Sequence, residues 1–166
     1  MYCDNYLEGF HIPYVHPALH QALSIDAYAY ELFPYANLQL GVGKEGEPCF
    51  DIPPGEPDHG KMVYAYYFFL FPNLMLNFYP WGLSMNVITP LGPNRTLVRF
   101  RTYTFSGSQA DPSAHQLDQT ELEDEAVVES VQSGLRSRYY DRGRYAPEME
   151  QCVHHFHRLV ADFLAV

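Results

Sequence analysis

Between Tyr28 and Phe105 the chain is interrupted again and again by turn-forming residues, at Pro34, Gly41-Val42-Gly43, Pro53-Pro54-Gly55, Pro72-Asn73, Pro80-Trp81-Gly82 and Gly92-Pro93-Asn94. The stretches between these stops are rich in Val, Tyr, Phe, Leu and Ile. Proline fixes φ and removes a backbone donor, so long helices do not fit between the stops, whereas short strands do. This constraint predicts an antiparallel sheet of about six or seven strands. Within Thr96–Arg101 the alternation puts Leu97, Arg99 and Arg101 on one face and Val98 with Phe100 on the other, so one sheet face is expected to be polar and wet.

The flanks follow a different pattern. Asp4 to His16 is dense in metal-capable side chains and is interrupted by Pro13 and Pro17, which predicts a short helix that breaks near Pro13. After Ser106-Gly107-Ser108 the stretch from Asp111 to Ser130 holds seven acids and no Lys or Arg. There Asp124, Val127, Val128, Val131 and Leu135 recur at helical spacing. A second helical stripe, Met149, Cys152, Val153, Phe156, Val160 and Phe163, follows Pro147, which suits a first helical turn. The order is helix fragment, long meander, two helices, an α+β class with helices on one face of the sheet.

Composition limits the function classes. A chain of 166 residues makes one domain the simplest organisation, and 47% hydrophobic content with 14 Tyr and 11 Phe requires a packed core. Ten basic against 20 acidic residues leave a net charge of -10, which argues against a nucleic-acid partner. The longest apolar run, Met62 to Phe71, stops at Pro72-Asn73, too short for a membrane helix. The N-terminus has no secretory pattern, so a cytoplasmic location is the expectation. Cys3, Cys49 and Cys152 are scattered without a CxxC pair, which argues for reduced thiols rather than a disulfide framework or structural zinc. Gly41-Val42-Gly43 lacks the third glycine of a dinucleotide site, so direct NAD binding is not expected.

Two clusters carry chemistry. Glu8 and His11 are three apart and would share a helical face, so the carboxylate can orient the imidazole. His16 lies five beyond His11, about 140° around an ideal helix, so both rings face one metal only if the helix ends or distorts between them. Pro13 offers a reason for that distortion. In Glu123-Asp124-Glu125 an acidic run would ordinarily be a solvated face, but Asp124 sits on the apolar stripe and points inward, where a carboxylate needs a partner or a metal. Two imidazoles and one carboxylate leave open positions for dioxygen and substrate, as in non-haem Fe(II) sites. His154, His155 and His157 point three ways on a helix, so no second metal site is expected. The aromatic run Tyr64 to Phe71 and the turn Phe78-Tyr79-Pro80-Trp81 are read mainly as sheet core, with a cation-binding cage as the alternative.

Asp4-Asn5-Tyr6-Leu7-Glu8-Gly9-Phe10-His11-Ile12-Pro13-Tyr14-Val15-His16-Pro17, with Glu123-Asp124 and the later Glu129 to Arg138 stretch, resembles the catalytic domain of Rieske-type ring-hydroxylating oxygenase large subunits, the family that includes choline and carnitine monooxygenases. The resemblance covers nearly the whole chain. It implies a helix-grip fold, a sheet packed against a long C-terminal helix, as a single non-haem iron domain over residues 1–166. It implies that His11, His16 and Asp124 ligate Fe(II), with O2 as co-substrate, and that Glu8 links the iron to a Rieske cluster, a position where Asp is commoner. A small aromatic or quaternary-amine substrate would be hydroxylated or demethylated, by monooxygenation or dioxygenation. Subunits of the family assemble as trimers in which one subunit's cluster serves its neighbour's iron.

A Rieske cluster needs a CxH pair and a second, separate CxxH pair, and only Cys152, followed by His154 and His155, has His at these spacings, so the chain cannot hold the [2Fe-2S] cluster, and a separate Rieske domain or ferredoxin and a reductase are the expected electron donors. The competing reading is a non-catalytic helix-grip protein that binds a small ligand and keeps a relic metal site. A zinc hydrolase using Glu8 as base is a third reading, disfavoured by the lack of an HExxH helix.

Overall fold

The turn-forming residues fall almost everywhere that a strand ends. A computed structural model describes residues 1–106 and 113–165, with the side chains of 113–116 left out of account. Three short helices, α1 (Tyr2–Tyr6), α2 (Ile12–Val15) and α3 (Pro17–Ala22), lead through a 3-10 turn at Ile25–Ala27 into the strands. The strands are β1 (Ala29–Phe33), β2 (Ala36–Val42), β3 (Val63–Leu70), β4 (Leu74–Tyr79), β5 (Gly82–Gly92) and β6 (Arg95–Thr104). Helices α4 (Ser113–Gly134) and α5 (Gln151–Leu164) follow.

The six strands form one sheet in sequence order, each pairing antiparallel with the next, as the turn spacing predicts. Burial alternates along β3, β4 and much of β5, so one face packs inward. Gly41-Val42 does not turn the chain but belongs to β2, at an irregularity in its register with β3. The reason is a close approach, because a Cβ on Gly41 would meet the Tyr67 ring at 3.0 Å. Strand β6 is an edge, and only Val98 is half-buried on it, so Phe100 is more exposed than its alternation implies.

Two clusters fill the inner face. Phe69, Met75 and Ile88 of the sheet pack with Tyr2, Cys3 and Leu7 from the N-terminal segment and with Cys152 and Val153 of α5. Ala65, Tyr67, Tyr79 and Trp81 form the second, with Leu117 of α4 beside them. No helix among the described residues is long and apolar enough to cross a membrane.

Two helix boundaries and one buried stripe differ from the sequence reading. The N-terminal break lies between α1 and α2, and Pro13 sits inside the first turn of α2, where its missing N–H costs nothing. Helix α5 begins at Gln151 rather than at Pro147, because a separate turn closes first, with the Glu150 amide donating to the Ala146 carbonyl at 2.8 Å. On α4, Val127 and Val128 are half-buried as their stripe predicts, but Val131 is exposed.

The β4–β5 hairpin leaves no room at Gly82, where a Cβ would stand 2.1 Å from the Tyr103 carbonyl oxygen. Gly82→Ala is therefore expected to destabilise the domain by about 1–3 kcal/mol. Denaturant unfolding checks this, and an unchanged midpoint would contradict the tight approach of β5 and β6 at this position.

Candidate metal centre and adjoining cavity

His11 and His16 flank the single turn of α2, His11 at its N-cap and His16 at its C-cap. The residue before a proline is driven out of the helical region, and His16 precedes Pro17, adopting φ -118° and ψ 78°. Pro17, not Pro13, thus supplies the distortion that the HxxxxH spacing requires. With the helix ended, the two Nε2 atoms face each other at 3.2 Å. Asp124 comes from α4, and its Oδ1 lies 2.9 Å from His16 Nε2 and 3.6 Å from His11 Nε2. One ligand-type atom from each of the three residues lies within 4.8 Å of the others. The inward orientation of Asp124 that the stripe predicts is thus observed.

Each imidazole is gripped from behind. Glu8 Oε1 meets His11 Nδ1 at 2.5 Å, and Glu8 Oε2 accepts the His11 backbone N–H at 3.1 Å. Glu8 does orient His11, but from the turn between helices rather than along a helical face. Glu123 Oε2 meets His16 Nδ1 at 2.8 Å. Asn5 Nδ2 donates to Asp124 Oδ1 at 2.6 Å. A carboxylate behind each ligating imidazole fixes its ring and leaves Nε2 directed at the centre, the outer arrangement that metal-binding histidines use.

The electrostatics follow from this packing. Burial opposes charge on His11, but hydrogen bonds with Asp124 and Glu8 outweigh it and raise its pKa to about 9. His16 is raised in the same way, against burial, by Asp124 and Glu123. Burial would raise Asp124, yet its bonds with His11, His16 and Asn5 hold it down to about 2. The donor set therefore carries an anionic carboxylate and two imidazoles whose protons a divalent cation would displace.

A cavity opens beside the three residues, over the inner face of the sheet. Tyr28, Tyr64, Tyr67 and Tyr79 line it, so these aromatic residues do more than fill the core, while Phe69 belongs to the core as the run predicts. Glu121 of α4 also lines the cavity. Its carboxylate accepts from the Tyr2 hydroxyl and from Asn86 Nδ2 at 3.0 Å, and burial pushes its pKa up to about 7. Sequence reasoning missed Glu121 and the role of Glu123. The signal for Glu121 was its place three residues before Asp124, on the same side of the helix. The α5 histidines form no metal group among the described residues; His157 instead bridges Tyr145 and Asp4, at 2.6 and 2.5 Å.

Comparison with known proteins gives the family and the fold. The family model for the ring hydroxylating alpha subunit (catalytic domain) matches residues 1–166. Choline monooxygenase of Arabidopsis thaliana is 38% identical over 96% of this chain and 38% of its own length. The carnitine monooxygenase oxygenase subunit of Escherichia coli is 32% identical over 96% of this chain and 45% of its own length. The chain thus spans less than half of these curated relatives. The fold is similar to that of a quaternary ammonium Rieske monooxygenase, with a TM-score of 0.75 at 23% identity over 98% of this chain and 45% of that one. A further structure of that kind, described as revealing carnitine oxidation and inter-subunit electron transfer, gives 0.74 at 24% identity, over 98% of this chain and 46% of that one. On the match of the whole chain to the family model and the identity to these relatives, this chain belongs to the ring-hydroxylating alpha subunit family and forms its catalytic domain.

Proposed function

We propose that His11, His16 and Asp124 hold a mononuclear Fe(II), and that the chain is the oxygen-activating part of a Rieske oxygenase acting on a small quaternary amine. The observation that carries this is the convergence of the three side chains, from segments 108 residues apart, beside a cavity lined with tyrosines. Bound there, Fe(II) would supply activation of O2 for hydroxylation or oxidative demethylation of the substrate.

The chain's own residues hold and shield the site. Glu8 and Glu123 fix the two imidazoles, and Asp124 supplies the negative ligand. Both oxygens of Glu8 are engaged by His11, which leaves it poorly suited to act as the base of a zinc hydrolase. Its position behind His11 suits the role of linking the iron to a Rieske [2Fe-2S] centre on another domain or on a neighbouring subunit of a trimer. A reductase would feed that centre. The tyrosines suit a quaternary ammonium, whose charge is attracted to aromatic faces and whose methyl groups favour a dry pocket. Glu121 adds a counter-charge when ionised. The names of the relatives, choline and carnitine monooxygenase, support the same substrate class.

Metal analysis of protein purified anaerobically with Fe(II) tests the centre. About one iron per chain is expected, lost in His11→Ala and Asp124→Ala with the cooperative unfolding transition retained, and kept in Glu8→Gln. Unchanged iron in both ligand variants would overturn the assignment.

Glu121 gives the substrate class a pH signature. Its raised pKa means that the carboxyl is protonated and neutral below about 7 and anionic above it. Choline binding, followed by calorimetry, should therefore strengthen by roughly three- to tenfold from pH 6 to pH 8. Glu121→Gln should flatten that dependence, and equal affinities at the two pH values in the unmodified chain would remove Glu121 from the site.

A further inference from the structure

The register of the sheet aligns Gln39 of β2, Tyr67 of β3, Asn77 of β4 and Ser84 of β5 in one row across the inner face. All four are buried. Apolar side chains would normally occupy such a row, because a buried polar atom without a partner is costly. Most of the row is satisfied internally. The Tyr6 hydroxyl donates to Asn77 Oδ1 at 2.7 Å, and Gln39 Nε2 donates to the Tyr6 carbonyl at 2.6 Å.

Two atoms of the row have no hydrogen-bond partner, the Tyr67 hydroxyl, which is free to rotate toward a donor or an acceptor, and Gln39 Oε1, on a side chain only 1% exposed. Its orientation is fixed, since turning the amide over would set Oε1 against the Tyr6 carbonyl, acceptor against acceptor. The side chain lines the same cavity as Tyr28, Tyr67 and Glu121. A free, oriented acceptor in a substrate cavity is a recognition element for a donor, because a ligand lacking that donor leaves it unpaired.

We propose that Gln39 is a specificity-determining residue, whose Oε1 accepts a hydrogen bond from a hydroxyl group carried by the quaternary amine. The cavity therefore selects hydroxylated quaternary amines over those bearing an ether or alkyl group in the same place. This rests on the quaternary-amine reading given above and narrows it.

Anaerobic calorimetry with choline and with its O-methyl ether, which differ in the single donor, tests the proposal without turnover. The unmodified chain is expected to favour choline by about tenfold or more. In Gln39→Met, similar in size but without the acceptor, both ligands should bind within about twofold of each other. A merely structural role for Gln39 would weaken both ligands alike and leave their ratio intact. Equal affinities in the unmodified chain, or the full preference surviving in folded Gln39→Met, would overturn the proposal. Should that variant fail to melt cooperatively, Gln39→Asn, which withdraws the acceptor by one methylene, serves the same comparison. If neither quaternary amine binds the unmodified chain, the substrate class itself falls and the assignment of Gln39 falls with it.

Discussion

An imidazole that is only 2% exposed must have both ring nitrogens satisfied, and at His16 both partners come from adjacent residues of α4, Glu123 and Asp124. Hydrogen bonds to charged groups are worth roughly 1.5–3 kcal/mol each, so this pair ties the first segment of the chain to a helix more than a hundred residues later. Asn5 to Asp124 and Tyr2 to Glu121 add two more ties along the same helix. The N-terminal helices and α4 thereby act as one lid piece over the sheet. The three ligand-type side chains meet because that piece is assembled, so the integrity of the centre and the docking of the N-terminus are the same structural event.

The sheet below divides its inner face between two tasks. Phe69, Met75 and Ile88, with Cys152 and Val153 of α5, make a dry cluster whose burial supplies apolar stabilisation. Beside it the row from Gln39 to Ser84 and the tyrosines around it keep polar atoms under cover, where an apolar core would be more stable. Such a row is tolerated because most of its polar atoms are paired, and the two that are not, Gln39 Oε1 and the Tyr67 hydroxyl, belong to residues that line the cavity. The cost in stability is thus localised where a ligand can offset it.

Much of this was legible in the residues. Turn pairs marked the strands because proline and glycine act through local backbone geometry, which needs no knowledge of the fold. The two histidines and Asp124 were legible because their spacing and stripe position made a geometric claim that the structure could meet. What stayed hidden depended on contacts between distant segments. Gly41 reads as a turn until the Tyr67 ring is seen against it, and Tyr64, Tyr67 and Tyr79 read as core until the cavity is seen on their side. The helix boundary at Gln151 turned on one short-range choice, the closing of a turn at Ala146 to Glu150, which a proline rule alone does not resolve.

The acidic run on α4 shows why composition misleads here. Successive residues of a helix are about 100° apart, so relative to Asp124 its neighbour Glu123 is rotated one way, while Glu121, three residues back, lies about 60° round the other way. Asp124 therefore faces the two Nε2 atoms, Glu123 reaches the far nitrogen of His16, and Glu121 is left over the cavity. Glu125, rotated about as far as Glu123 but on the opposite side, is exposed. The same charge thus serves as a candidate metal ligand, an imidazole anchor, a cavity wall and a solvated surface, according only to angle. No apolar side chain among the described residues of α4 is fully buried, and its acids bond to Tyr2, Asn5, His16 and Asn86, so the run that reads as a solvated face helps fix α4 to the rest of the domain.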